Sequence, residues 1–164
     1  MRQHFLIVED SEEDAFFIRR AFSGSECRPF VCRNTSEARA YLLGSGMYAD
    51  RNKFPFPEIV VSDIRLGDDN GIRFFEWLRS MTEFDHLPVV ILTASITPGE
   101  VRAARKLGAT KILIKPSDPV AMHDVIVSLV RELCSTRPQR DARLERTREI
   151  SPRPGTIPSA RFKK

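Results

Sequence analysis

Five short apolar runs recur between residues 4 and 114, and each is followed by a stretch whose apolar residues fall at helical spacing. The first run, His4–Val8, is continuously apolar, as expected of a strand buried on both faces. Ser11 then stands where a helix cap is wanted, and Glu12, Glu13 and Asp14 suit the positive end of the helix dipole. Phe17, Ile18, Ala21 and Phe22 form the inward stripe of that helix. Pro29–Arg33 reads as a second strand. Thr35 or Ser36 is expected to cap a second helix that turns Ala38, Tyr41 and Leu42 inward. Ile59–Asp63 is the third strand, and a helix beginning near Ile72 follows it with Phe74, Phe75 and Leu78. Val89–Thr93 is the fourth strand. Thr97-Pro98-Gly99-Glu100 spells a capping box with proline at the first helical position, and Gly108 closes that helix. Thr110–Ile114 is the fifth strand, and Asp118-Pro119 opens a helix striped by Met122, Val125, Ile126, Leu129 and Leu133. The exception to the compact alternation is Gly44 to Pro57, a segment rich in Gly, Pro and aromatic residues and long for such a connection.

Strands alternating with helices imply an α/β fold, a doubly wound five-stranded parallel sheet with five helices on its two faces. Ligands in such sheets bind beyond the carboxyl ends of the strands. The chemistry should therefore follow each strand.

Length and charge set the remaining bounds. The 164 residues suffice for one domain and are cramped for two. Residues 135–164 carry nine Arg/Lys against three acids, whereas the residues before them carry 17 basic and 19 acidic side chains. The expected organisation is a mildly acidic domain over residues 1–134 and a basic, disordered tail over 135–164. Such a tail is too short and proline-rich to build a DNA-binding domain. No apolar run approaches a membrane span, and the start lacks the apolar core of a signal peptide, so a cytoplasmic location is expected. Cys27, Cys32 and Cys134 are odd in number and lack CxxC spacing, which predicts reduced, structural thiols.

The stretch "EIVVSDIRLGDDNG" ends an apolar strand on Asp63, a carboxylate at the rim of a core. Glu9 and Asp10 follow the first strand, Thr93 ends the fourth, and Lys115-Pro116 follows the fifth. Three carboxylates gathered at one edge repel, so either their pKa values rise or a cation lies among them. Mg²⁺ suits a few carboxylates supplemented by water and phosphate oxygens. A carboxylate beside Mg²⁺ and a lysine makes a place where a phosphoryl group can be attacked and held.

In this order and spacing, "VED", "SDIRLGDDNG" with Gly71 eight residues after Asp63, "LTAS" and "IKP" resemble the receiver domain of two-component response regulators over about residues 3–134. The resemblance implies the flavodoxin-like receiver fold with strand order 2-1-3-4-5. It implies Asp63 as phosphoacceptor, Asp10 as direct Mg²⁺ ligand, Glu9 acting largely through water, and the backbone carbonyl of Arg65 as a further ligand. Thr93, aided by the Ala94 N–H, would donate to the phosphoryl group, Lys115 would pair with it, and the Lys115-Pro116 peptide would be cis. The implied function is that of a single-domain response regulator. It takes a phosphoryl group from a sensor histidine kinase and signals to a downstream protein target through its helix-four, strand-five, helix-five face. It catalyses only its own modification and is no enzyme toward an outside substrate. A phosphorelay intermediate that passes the group to a histidine phosphotransferase is the alternative. The "VEDSEEDAFFIRRAF" opening and the Gly44–Pro57 segment are similar to the phytochrome-associated branch, which implies a phytochrome-type kinase and homodimers.

Departures from the pattern carry expectations too. Gly67 stands where most such loops have proline, which should loosen the loop. Ile112 lies where many receivers carry a switching Tyr or Phe, so the coupling to the signalling face should differ. Arg65 and Ser95 flank the path of a hydrolytic water, and Arg65 could shield the phosphoryl group, pair with Asp68 or stay solvated. Two rival readings fail on residues. An FMN-binding protein of this sheet type wants a Ser/Thr/Gly-rich phosphate loop after the first strand, where acids stand. A haloacid-dehalogenase-type phosphatase wants an acid two residues after its nucleophile, where Arg65 stands.

Overall fold

A computed structural model describes residues 3–67 and 69–135. Strands β1 (His4–Val8), β2 (Arg28–Cys32), β3 (Ile59–Ser62), β4 (Val89–Thr93) and β5 (Lys111–Ile114) pair in parallel in the order β2-β1-β3-β4-β5. Helices α1 (Glu12–Ala21), α2 (Thr35–Leu43), α3 (Gly71–Ser80), α4 (Pro98–Lys106) and α5 (Pro119–Ser135) connect and cover them. This is the doubly wound parallel architecture the alternation predicts, in the strand order the resemblance implies.

The alternating direction of side chains along a strand divides the core in two. Phe5 and Ile7 of β1, with Val61 and Leu92, pack under α1 and α5 against Ile18, Met122, Ile126 and Leu129. Leu6 and Val8, with Val60 and Ile91, pack under α2 and α3 against Tyr41, Leu42, Phe74 and Phe75. Each such side chain, fully buried, contributes on the order of 1.5–3 kcal/mol. Strands β1, β3 and β4 lie inside the sheet and are covered on both faces, which is why their sequences are apolar without alternation.

Local signals hold at most helix starts. The Ser11 hydroxyl accepts the Asp14 N–H at 3.2 Å, and the Thr97–Glu100 capping box is complete. At α2 the cap is Asn34 rather than Thr35 or Ser36, because extended Asn34 offers its Oδ1 to the Glu37 N–H at 2.8 Å. Thr35 instead becomes the first helical residue, and its hydroxyl donates to Asp69. The segment after α2 forms a 3₁₀ turn (Gly46–Ala49) and an aromatic cluster of Phe30, Tyr41, Tyr48 and Phe54. Arg51 locks it by donating to the Tyr41 and Leu42 carbonyls at 2.8 and 2.7 Å, satisfying the open end of α2.

Two expectations are corrected. Cys27 and Cys134 form a disulfide across 107 residues, with Cα atoms 6.5 Å apart, while Cys32 is a free buried thiol. Local spacing could not reveal that pair, because the packing of α1 on α5 brings its ends together. The Lys115-Pro116 peptide is trans, since no described peptide bond is cis. The Lys115 ammonium reaches its carboxylate partners without the rarer isomer. Gly67, at φ +59°, makes a left-handed turn, which proline cannot adopt, between the strands of a small antiparallel ribbon pairing Arg65 with Asn70 and Leu66 with Asp69. The basic segment beyond residue 135 and Asp68 lie outside the described residues.

Candidate functional site

The residues singled out at the strand ends are held by the sheet's own hydrogen bonds. The Glu9 N–H donates to the Cys32 carbonyl, Asp63 to Val8 and Lys115 to Thr93, at 3.0, 3.0 and 2.8 Å. Each continues a parallel ladder by one rung, so the backbone beneath each functional group is fixed. The chain then turns sharply under Asp63: the Gly71 N–H donates to the Ile64 carbonyl at 3.0 Å, and a Cβ on Gly71 would lie 2.0 Å from the Asp63 carbonyl oxygen.

Three carboxylates converge on one ammonium. Lys115 Nζ lies 2.6 Å from Asp63 Oδ2 and 2.8 Å from Asp14 Oδ2, and it also bonds Glu9 Oε2. All three ammonium protons are therefore used. Glu9, Asp63 and Lys115 are buried, at 2%, 5% and 8% exposure, so these charges interact with little water between them. The second oxygens are held by backbone donors: Ser11 N–H on Glu9 Oε1 at 3.1 Å and Arg65 N–H on Asp63 Oδ1 at 2.9 Å. Burial pushes the Glu9 carboxyl up to about 7 against the pull of the Lys115 charge. Burial also opposes the Lys115 ammonium, but the Glu9 charge and the hydrogen bonds to Asp14, Asp63 and Glu9 outweigh it and raise its pKa. Lys115 is thus a permanent cation at neutral pH, whereas Glu9 titrates close to it.

The remaining residues take different positions. Asp10 is exposed, and its Oδ2 lies near Gly67, where an added Cβ would approach to 3.7 Å. Glu9 and Asp63 are drawn onto Lys115, while the Asp10 carboxylate reaches toward the loop after β3. Among the described residues no group of three or more His, Cys, Asp or Glu side chains is arranged to hold a metal ion. The donor chemistry still suits a hard divalent cation, because the buried carboxylates of Glu9 and Asp63 already share one positive charge. Thr93 is fully buried, and its hydroxyl donates to the Ser95 carbonyl at 3.1 Å. The Arg65 side chain pairs with Glu100. An open cleft of about 270 Å³ beside Lys115 is lined by Asp14, Phe17, Ala94, Pro116 and Pro119.

Sequence reasoning missed three participants. Asp14 read as a dipole-complementing acid; its place four residues after Asp10 was the available signal, since that is one helical turn beyond the acidic pair. Arg33 donates to the Glu9 and Asp10 carbonyls at 3.4 and 3.3 Å and pairs with Glu12, bracing the acidic turn. Glu100 read as a helix cap and is also the Arg65 partner. Nothing in the sequence signals the last two.

Comparison with known proteins agrees with this geometry. A family model described as the response regulator receiver domain matches residues 5–127. The polar-differentiation response regulator DivK of Brucella anthropi is 27% identical over 116 residues, which span 71% of this chain and 86% of that protein. The phosphorylated cyanobacterial phytochrome response regulator RcpA has the same fold, with a TM-score of 0.78 at 22% identity over 86% of this chain and 100% of that one. The Mn(2+)-bound form of response regulator Rcp1 gives 0.75 at 22% identity over 83% of this chain and 97% of that one.

Proposed function

The chain belongs to the response regulator receiver domain family, and from that membership we propose that Asp63 accepts a phosphoryl group from a phosphohistidine on a sensor kinase. The observation that carries this reading is the contact of 2.6 Å between Lys115 Nζ and Asp63 Oδ2 at the buried rim of the sheet. The ammonium fixes the carboxylate in place and balances charge beside it, as a nucleophile of this kind needs.

An Asp63 oxygen attacks phosphorus in line. The O–P bond forms as the P–N bond breaks, and the electron pair returns to the imidazole nitrogen, which takes up a proton. As an acyl phosphate, the side chain no longer carries the charge that held Lys115. The ammonium then finds its new partner in a phosphoryl oxygen. Thr93 reaches the same group only by giving up the Ser95 carbonyl, and that exchange couples the modification to the chain entering α4. Glu9, Asp10, Asp63 and the Arg65 backbone carbonyl are the residues that would hold Mg²⁺. When bound, the ion neutralises charge that develops on the transferring phosphoryl oxygens.

The protein acts by binding, not as an enzyme toward an outside substrate. Phosphorylation shifts an equilibrium between two arrangements of the α4–β5–α5 face, which presents exposed Ile114 and Val120 to a downstream protein or a second copy. The likeness in fold to RcpA and Rcp1 supports a phytochrome-type kinase as donor. No described helix is long and apolar enough to cross a membrane, in keeping with action in the cytoplasm. Acetyl phosphate or beryllofluoride with Mg²⁺ should give an adduct on the wild type and none on Asp63→Asn. Equal modification of the variant would remove Asp63 from the role.

A further inference from the structure

The Arg65 side chain leaves the site at which its own backbone begins. Its N–H is bonded to Asp63 Oδ1 at 2.9 Å, yet both terminal guanidinium nitrogens lie on the two oxygens of Glu100, each at 2.9 Å. Glu100 is the third residue of α4. Its Oε2 also accepts the Thr97 N–H and the Thr97 hydroxyl, at 2.8 and 2.9 Å. One carboxylate thus closes the start of α4 and holds a cation whose backbone touches the candidate phosphoacceptor. The arrangement is a planar two-point fork, which fixes direction as well as distance.

We infer that Glu100 is a positioning residue that withholds Arg65 from Asp63, so that the lifetime of a phosphoryl group there is set from the first turn of α4. The inference rests on the phosphoacceptor reading of Asp63. A phosphoryl group adds negative charge within reach of a guanidinium anchored two residues away, and it competes with Glu100 for that fork. If Arg65 crosses to the phosphoryl group, it covers oxygens that a hydrolytic water must approach, and Glu100 loses its partner at the helix start. If it stays on Glu100, the phosphoryl group remains open to water. The neighbouring Lys115 already lies against Asp63 and is not held by Glu100, because its protons bond Glu9, Asp14 and Asp63. Ile112, half-buried on β5, has no polar atom through which to couple the two places.

Glu100→Gln isolates the charge. Glutamine still serves at the third position of a capping box, so the helix start survives while the ion pair is lost. The rate of loss of the Asp63 adduct, formed with acetyl phosphate and Mg²⁺ and followed by intact-protein mass spectrometry, is the readout. Glu100→Gln should slow that loss roughly two- to fivefold, the range corresponding to a partly exposed ion pair. The same change made on an Arg65→Gln background should have no effect. Thr97→Ala weakens the cap and removes one hydrogen bond to Glu100 Oε2 but leaves both charges of the fork in place, and it should leave the rate unchanged. An unaltered rate in Glu100→Gln, an equal slowing in Thr97→Ala, or slowing that persists without Arg65 would each overturn the inference. A wild type that forms no Mg²⁺-dependent adduct defeats the phosphoacceptor reading itself, and this inference with it.

Discussion

Gly71→Ala should damage the site from a position that touches none of its side chains. A Cβ there would lie 2.0 Å from the Asp63 carbonyl oxygen and 2.9 Å from both the Asp63 carbonyl carbon and Ile64 Cα. All three are backbone atoms, so no side chain can swing aside. Ordinary contact begins near 3.4 Å, so the peptide linking Asp63 to Ile64 must retreat by about 1.4 Å. Overpacking of this kind costs ~1–3 kcal/mol. Alanine in place of glycine returns up to ~1 kcal/mol in a helix interior and less at a first helical residue, so the net loss is about 1–2 kcal/mol. The functional effect is larger than the loss of stability, because the displaced peptide carries the Asp63 side chain held at 2.6 Å to Lys115 and 2.9 Å to the Arg65 N–H. Misplacement of a reacting group by ~1 Å can cost on the order of 10²-fold in rate. Urea unfolding gives the first quantity, and the initial rate of Mg²⁺-dependent adduct formation from acetyl phosphate gives the second. Gly99→Ala is the control, since its Cβ would meet nothing nearer than Thr97 Oγ1 at 3.8 Å. A Gly71→Ala protein with wild-type midpoint and wild-type adduct rate would refute the steric reasoning.

Lys115→Met leaves the Glu9, Asp14 and Asp63 carboxylates without their shared cation, a change expected to cost ~3–5 kcal/mol near pH 8. With the pull of Lys115 removed, burial raises the Glu9 carboxyl further, so the deficit should shrink toward pH 5; urea midpoints at the two pH values decide. Glu9 titrates near 7 when folded, above its ordinary 4.5. The stability it contributes is therefore full below about 4.5 and lost as pH rises through about 7, by about 3 kcal/mol at most. Metal-free Glu9→Gln should flatten that slope, and an unchanged slope would contradict the assignment. The Cys27–Cys134 bond closes a long loop, so reduction should lower unfolding free energy by ~2–4 kcal/mol. Thiol titration of the denatured chain should find one free thiol before reduction and three after; three at the outset would disprove the bond.

Much of the site could be read from the sequence, because its parts are local. A continuous apolar run declares an interior strand, and the polar residue that ends it declares what sits at the rim; Glu9, Asp63, Thr93 and Lys115 were located in that way. The Thr97–Glu100 box was legible because both of its hydrogen bonds lie within four residues. The Asn34 cap was missed because several cap-forming residues stand side by side, and only the bond from Thr35 to Asp69 decides among them. The left-handed turn at Gly67 was not legible, because it belongs to a ribbon whose pairing the sequence does not announce.

Sequence alone determined the order of strands and helices and the identity of the groups at the strand ends, since periodicity and capping act over a few residues. Only the tertiary structure decided how those groups share charge. It drew Glu9, Asp14 and Asp63 onto a single ammonium, turned Arg65 toward Glu100 and joined Cys27 to Cys134. Each of these depends on distances between residues far apart in the chain. Electrostatic partners are chosen in space, after burial has removed the water that would otherwise have satisfied them.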